Sequence, residues 1–247
     1  SIHGSQAIGG VISISTKGET LKDSVSIGLG TGPDNYRKEY LRGNLLREKT
    51  SANIMVLNSA TNGFPSLSNS KLNRGYDNKS VAGDISYGYK DLDISFSLWT
   101  SKGNTEYLVF GTPVSQTYNN QAFATDLRFK TNRGYYILFN INSSEDLINQ
   151  NNLNYLGILD HTQTERQSYE LLINKTLKQM FTYSIGFESE HEEVDYSSYG
   201  ISFQKDLRTK AFFGTIEWIK NKNSWIASAR ESDQDLYGKH FSWNMGF

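Results

Sequence analysis

The chain has 247 residues, a formal net charge of −1 and no cysteine, and aromatic residues reach 13% although hydrophobic residues make up only 37%. The near-neutral charge excludes a nucleic-acid binder driven by phosphate contacts, and the absence of cysteine excludes disulfides and thiolate metal sites within this sequence. Few aliphatic and many aromatic residues favour a wide transmembrane β-barrel, in which only one face of each strand is apolar. No run approaches the ~18 apolar residues of a transmembrane helix.

The first stretch, SIHGSQAIGGVISISTKG (residues 1–18), is glycine-rich and ends in a β-branched strand. Its glycines indicate tight turns or close backbone contacts, and the Gly-Lys-Ser/Thr needed for a phosphate-binding loop is missing. The stretch resembles the C-terminal end of the plug domain of TonB-dependent outer-membrane receptors. The matching residues are Gly4, Ser5, Ala7, Ile8, Gly9, Gly10, Val11, Ile12, Ile14, Thr16 and Lys17, and the departures are His3, Gln6 and Ser13.

The resemblance implies that residues 1–18 end a plug and that residues 19–247 form the first part of a barrel. The predicted fold class is therefore all-β, a transmembrane antiparallel β-barrel present in part. Period-two alternation of apolar and polar residues predicts about twelve strands, against about 22 in a complete plugged transporter. The predicted strands cover 21–30, 38–47, 50–58, 81–90, 92–99, 123–130, 134–143, 165–175, 181–188, 211–218, 224–231 and 241–247.

Short and long connections alternate along the chain. Polar segments 59–79, 102–118, 144–163 and 190–208 are expected to be long outer loops, because outer-membrane barrels have short periplasmic turns and longer extracellular loops. The sequence lacks an initiator Met and a signal peptide, so it is expected to be a fragment with an open sheet edge.

Two groups of side chains have expected positions in such a barrel. Trp218, Trp225, Tyr87 and Tyr89 flank short turns and suit a periplasmic aromatic girdle. Charged residues on the polar phase of the strands should face the lumen, where the resemblance implies contacts with the plug. These residues are Asp84, Asp93, Asp126, Arg128, Lys130 and Glu217.

A finer resemblance is to the cobalamin-receptor branch, carried by segments 74–107 and 214–247. In the second segment, a hairpin pattern of that branch is matched by Ala229, Arg230, Asp233, Tyr237, Gly238, His240 and Trp243. Related siderophore receptors share this hairpin, so the bound chelate stays open between cobalamin, a ferric siderophore, heme or another ligand, and no ligand-binding residue is assigned.

No catalytic constellation is visible, so the sequence does not predict an enzyme. The four histidines are scattered and lack helical metal spacing. The acidic run Glu190, Glu192, Glu193 and Asp195 is either a solvated loop or a divalent-cation site. The resemblance implies calcium in outer loops as one alternative, but assigns it to none of these residues.

The resemblance implies energised uptake of a scarce metal chelate across the outer membrane of a Gram-negative cell. Its implied partners are outer-membrane lipid, the TonB energy-coupling protein and the chelate, with no nucleic acid. A passive porin is the alternative, although it needs no plug. A soluble or surface adhesive β-protein is a third hypothesis.

Overall fold

The structure is a computed structural model that describes residues 22–66, 72–153, 158–178, 180–220 and 223–247. The predicted plug motif, residues 4–12, lies outside the described residues. Among the described residues, no helix is long and apolar enough to cross a membrane.

Twelve β-strands form one antiparallel sheet in which every strand pairs with its neighbours in the chain. The strands are β1 (Ser24–Gly32), β2 (Tyr36–Leu46), β3 (Thr50–Pro65), β4 (Asn73–Tyr89), β5 (Leu92–Val109), β6 (Thr112–Lys130), β7 (Tyr135–Asn152), β8 (Ile158–Leu177), β9 (Phe181–Ser198), β10 (Ile201–Lys220), β11 (Asn223–Gln234) and β12 (Gly238–Gly246). The predicted fold class and strand count are confirmed. The sheet is open, since no pairing joins β1 to β12 in the described residues.

The prediction that the long outer segments are loops is wrong, because they are mostly strands. Residues 102–118 and 190–208 are almost wholly strand, and the four hairpins from β3 to β10 are built of strands of 16 to 20 residues. About 9–11 residues suffice to cross a bilayer at a tilt, so these hairpins continue beyond the membrane as paired strands. Polar residues are common on both faces of these extensions, so the apolar–polar alternation by which strands were recognised is weaker there.

Tight turns close these extended hairpins. Phe110-Gly111 and Tyr199-Gly200 have positive φ at both positions, 49° and 83° in the first pair and 47° and 82° in the second. This is the conformation of a type I′ turn, whose twist matches that of the flanking strands and which favours glycine at its second position. A two-residue turn also fixes the pairing register of the strands that it joins.

The two faces of the sheet differ in burial. The outward face exposes large apolar side chains, including Ile185 at 62%, Phe212 at 66% and Trp243 at 69%. Among the described residues, the buried side chains lie in the opposite phase, which is therefore the concave face, because side chains crowd on the inside of a curved sheet. They are Ser59, Ser101, Val114, Ala211, Phe213, Ser228, Arg230 and Ser232.

The apolar outward positions are in register from strand to strand, as in the pairs Ile85–Phe96 and Ile173–Ile185. Together they form what we call the outward band. On the hairpins from β4 to β10 it contains Val81, Ile85, Tyr87, Leu92, Ile94, Phe96, Leu98, Phe123, Leu127, Phe129, Tyr135, Ile137, Phe139, Ile141, Tyr169, Leu171, Ile173, Phe181, Tyr183, Ile185, Phe187, Phe212, Ile216 and Trp218. This is the lipid-facing surface expected of an outer-membrane barrel.

The predicted girdle residues lie on the outward face at the short-turn end. Trp218 on β10 is directly opposite Trp225 on β11, and the ring centroid of Trp225 is 5.4 Å from that of Phe247. Tyr87 and Tyr89 end β4 at the same side of the sheet. The short-turn end therefore carries the amphipathic rings that favour a membrane–water interface.

Candidate functional site on the concave face

The concave face above the outward band is lined by hydrogen-bonding groups of the strand extensions. The Tyr118 phenol donates to Asn78 Oδ1 at 2.9 Å, and the Ser101 hydroxyl donates to the same oxygen at 2.8 Å. The Tyr118 side chain crosses Gly103, where a Cβ would stand only 2.6 Å from its oxygen. Glycine at this position thus allows a phenol of β6 to reach across β5 to β4.

A second phenol lies nearer the hairpin tip. Tyr107 Oη lies 2.8 Å from Gln116 Oε1 and 2.6 Å from Gln150 Oε1, so it links β5, β6 and β7. Burial raises the pKa of both Tyr107 and Tyr118 above the usual tyrosine value. Both phenols therefore stay protonated at neutral pH and remain hydrogen-bond donors on this wall.

Arg166 of β8 is the centre of a charged cluster on the same face. Its Nε donates to Glu192 Oε2 at 2.8 Å and lies 3.9 Å from Glu190 Oε1. Burial raises the pKa of Glu190, an effect that the positive charge of Arg166 opposes. The side chain of Arg166 is 44% exposed, so its guanidinium is accessible to a molecule on the concave side.

Arg230 of β11 forms a separate, buried cluster. It is only 4% exposed, and its Nη1 donates to Glu188 Oε2 at 2.9 Å while its Nε donates to Ser232 Oγ at 3.0 Å. The guanidinium lies 5.5 Å from the ring centroid of Phe213. That ring in turn lies over Gly186, where a Cβ would come within 2.2 Å of it. The cluster thus joins side chains of β9, β10 and β11, and we assign it a structural role.

The structure divides the acidic run of β9 between the two faces. Glu190 and Glu192 point to the concave side with Arg166, whereas Glu193 and Asp195 lie in the outward phase. The four residues therefore do not converge on one cation, as alternation along a strand requires. Their assignment as cation ligands stays a prediction.

A different group of possible cation ligands was missed in the sequence. His191 Nε2 lies 2.8 Å from Asp206 Oδ1 and 3.4 Å from Glu193 Oε1 on the outward face of the extension. One ligand atom from each of these residues lies within 4.8 Å of the others. Asp206 belongs to β10 and pairs with Glu193 of β9. The Tyr199-Gly200 turn fixes this pairing, and it is the sequence signal from which the group could have been predicted.

The predicted lumen charges all lie in the concave phase of their strands. Asp126 accepts a hydrogen bond from the Ser95 hydroxyl at 3.1 Å and is 3.8 Å from Arg128. Asp84 accepts a hydrogen bond from the Asn53 amide. Their predicted contacts with the plug stay a prediction, because residues 1–18 lie outside the described part of the chain.

Comparison with known proteins finds one similar sequence and several solved structures with a similar fold. No protein-family profile matches the chain. The chain is 24% identical over 256 residues to the vitamin B12 transporter BtuB of Vibrio vulnificus (strain YJ016), covering 99% of this chain and 41% of that protein. The chain resembles TonB-dependent outer-membrane receptors. This sequence match agrees with the predicted resemblance to the cobalamin-receptor branch.

Solved structures of siderophore and outer-membrane receptors share the fold of this chain. The ferric enterobactin receptor PfeA of Pseudomonas aeruginosa matches with a TM-score of 0.73 at 14% identity, covering 99% of this chain and 44% of that one. The siderophore receptor PiuA of Acinetobacter baumannii matches with 0.64 at 12% identity, covering 95% and 46%. The alcaligin outer-membrane receptor FauA of Bordetella pertussis matches with 0.63 at 10% identity, covering 92% and 40%.

The described sheet therefore has the fold of part of the barrel of these receptors. The chain spans about two fifths of the length of the curated relative that it matches. The outward band and the hydrogen-bonding groups of the concave face agree with the lipid-facing outside and the polar inside of such a barrel.

Proposed function

We propose that this chain is the first part of the barrel of a receptor that takes up a scarce metal chelate with energy supplied by the TonB protein. The observation that carries the proposal is the concave wall of the extended hairpins, which places phenols, amides and the Arg166 guanidinium above the outward band. Relatives named as a vitamin B12 transporter and as siderophore receptors support the same class of ligand.

The proposed mechanism separates recognition from release. The concave wall offers donors and acceptors to a polar chelate outside the membrane, and the exposed part of the Arg166 guanidinium that Glu192 leaves free offers further donors. The predicted plug motif, Gly4, Ser5, Ala7, Ile8, Gly9, Gly10, Val11 and Ile12, would end the domain that TonB moves to open the path inward. The proposal assigns the protein no enzymatic activity.

The test deletes the gene of the complete receptor and measures growth with cobalamin, or with one ferric siderophore at a time, as the limiting source. We expect growth on one chelate to fail, to return with the complete gene and to fail again when TonB is disrupted. Rescue that persists without TonB would favour the passive porin and contradict the proposal.

A matched pair of variants tests the concave wall. Arg166→Gln removes a concave guanidinium, whereas Arg208→Gln removes one from the outward face of the neighbouring extension. Loss of one charge-assisted hydrogen bond should weaken chelate binding about tenfold for Arg166→Gln, and Arg208→Gln should bind as the parent does. Equal affinities of the two variants would show that the concave wall does not contact the chelate.

A further inference from the structure

Lys175 of β8 is a charged residue in line with the apolar outward-facing side chains of its strand. It continues the alternation of Tyr169, Leu171 and Ile173, and it pairs with Tyr135 of β7 and Tyr183 of β9. It therefore lies beside the outward band near the short-turn end of the sheet. A charge on the lipid face costs ~2–4 kcal/mol at the midplane but falls to about 0–1 kcal/mol near the interface.

Among the described residues, Lys175 is surrounded by aromatic and basic side chains rather than by carboxylates. Its Nζ lies 4.2 Å from the ring centroid of Tyr135. Tyr135 and Tyr183 lie directly opposite Lys175 on β7 and β9, and Arg133 lies in the short turn that precedes Tyr135. Within the described residues no carboxylate forms an ion pair with Lys175.

The two tyrosines hold the ammonium at a fixed place on the lipid side. Cation–π contact with Tyr135 orients Lys175, and the phenols of Tyr135 and Tyr183 supply further hydrogen-bond donors beside it. Three donor groups that face lipid, with a second cation nearby and no acid, complement the phosphate of a lipid headgroup. Short turns of such barrels lie at the periplasmic side, so the lipid belongs to the inner leaflet of the outer membrane.

We propose that Tyr135, Lys175 and Tyr183 bind the phosphate of an anionic phospholipid of the inner leaflet. The site is independent of the chelate and of TonB, and it lies on the face of the sheet opposite to the concave wall. Its function is to anchor the short-turn end of β7–β9 at the level of the phosphates.

The test is native mass spectrometry of the complete receptor in detergent, titrated with phosphatidylglycerol and separately with phosphatidylcholine. One lysine near an anionic surface contributes about 1 kcal/mol, so Lys175→Gln should bind phosphatidylglycerol about fivefold more weakly. Lys175→Arg should retain the binding. Excess inorganic phosphate should not displace the lipid, and displacement by this excess would indicate an anion site and overturn the lipid assignment.

Lys130→Gln is the matched control. Lys130 lies 5.4 Å from the ring centroid of Tyr136 at the same end of the sheet, but on the concave face. This control should bind phosphatidylglycerol as the parent does. Equal binding by Lys175→Gln and the parent, or an equal loss in Lys130→Gln, would overturn the proposal. If Lys175→Gln does not assemble, Tyr183→Phe replaces it, and unchanged lipid binding by that variant would overturn the proposal as well.

Discussion

Arginine on the outward face of β5 or β9 is expected to abolish membrane assembly of the complete receptor. Ile94, Phe96 and Ile185 belong to the outward band and are 37%, 39% and 62% exposed. Each substitution Ile94→Arg, Phe96→Arg or Ile185→Arg would place a charge against lipid at a cost of ~2–4 kcal/mol at the midplane. The measurement is the fraction of receptor in outer-membrane fractions that migrates as the folded, heat-modifiable band.

The neighbouring serines are the controls for this experiment. Ser95→Arg and Ser184→Arg place the same charge one residue away, on the concave face, where water and polar groups surround it. We expect both variants to assemble in much larger amounts than the outward variants. Equal assembly of outward and concave variants would contradict the assignment of the two faces.

Removal of Arg230 is expected to give the second large effect. Arg230→Met leaves Glu188 without its buried guanidinium partner, and breaking such a pair is strongly destabilising. Since Glu188 keeps 26% of its side chain exposed, we expect a loss near the lower end of the measured range, about 3 kcal/mol in the free energy of unfolding. Urea unfolding of the complete receptor in lipid vesicles measures this loss.

Two further variants define the origin of that loss. Arg208→Met removes an exposed arginine, 3.5 Å from Asp206, and should cost at most about 1 kcal/mol. Glu188→Leu combined with Arg230→Met removes both charges and should recover part of the stability, since apolar replacements of buried pairs are often neutral or stabilising. A double variant less stable than Arg230→Met alone would exclude the unpaired carboxylate as the cause.

The fold could be predicted where the two sides of a strand face different surroundings. In β9, the outward residues Phe181, Tyr183 and Ile185 are apolar. The concave residues between them, Thr182 and Ser184, are polar, so the sequence itself shows the alternation of a strand. The same strand continues to Ser198 through a segment in which polar residues lie on both faces and the contrast is weak. The sequence analysis therefore interpreted 190–208 as a loop, although cross-strand pairing continues to its tip.

The candidate site could be predicted only in part, because its contacts join separate strands. Glu192 was a visible member of an acidic run, but its partner Arg166 lies 26 residues away on β8. That partnership depends on the register of the β8–β9 hairpin, which composition does not specify. The Phe110-Gly111 and Tyr199-Gly200 turns are the local signals from which two of the other registers follow.

The central claim is that β9 crosses the membrane with lipid on one face and the polar concave side on the other. Its direct test is a spin-label scan of single cysteines at positions 181–185 and 187 in the complete receptor in vesicles, with collision rates measured for oxygen and for a water-soluble nickel chelate. We predict oxygen maxima at Phe181, Tyr183, Ile185 and Phe187, with minima at Thr182 and Ser184. An oxygen profile without period two, or one with maxima at Thr182 and Ser184, would contradict the account.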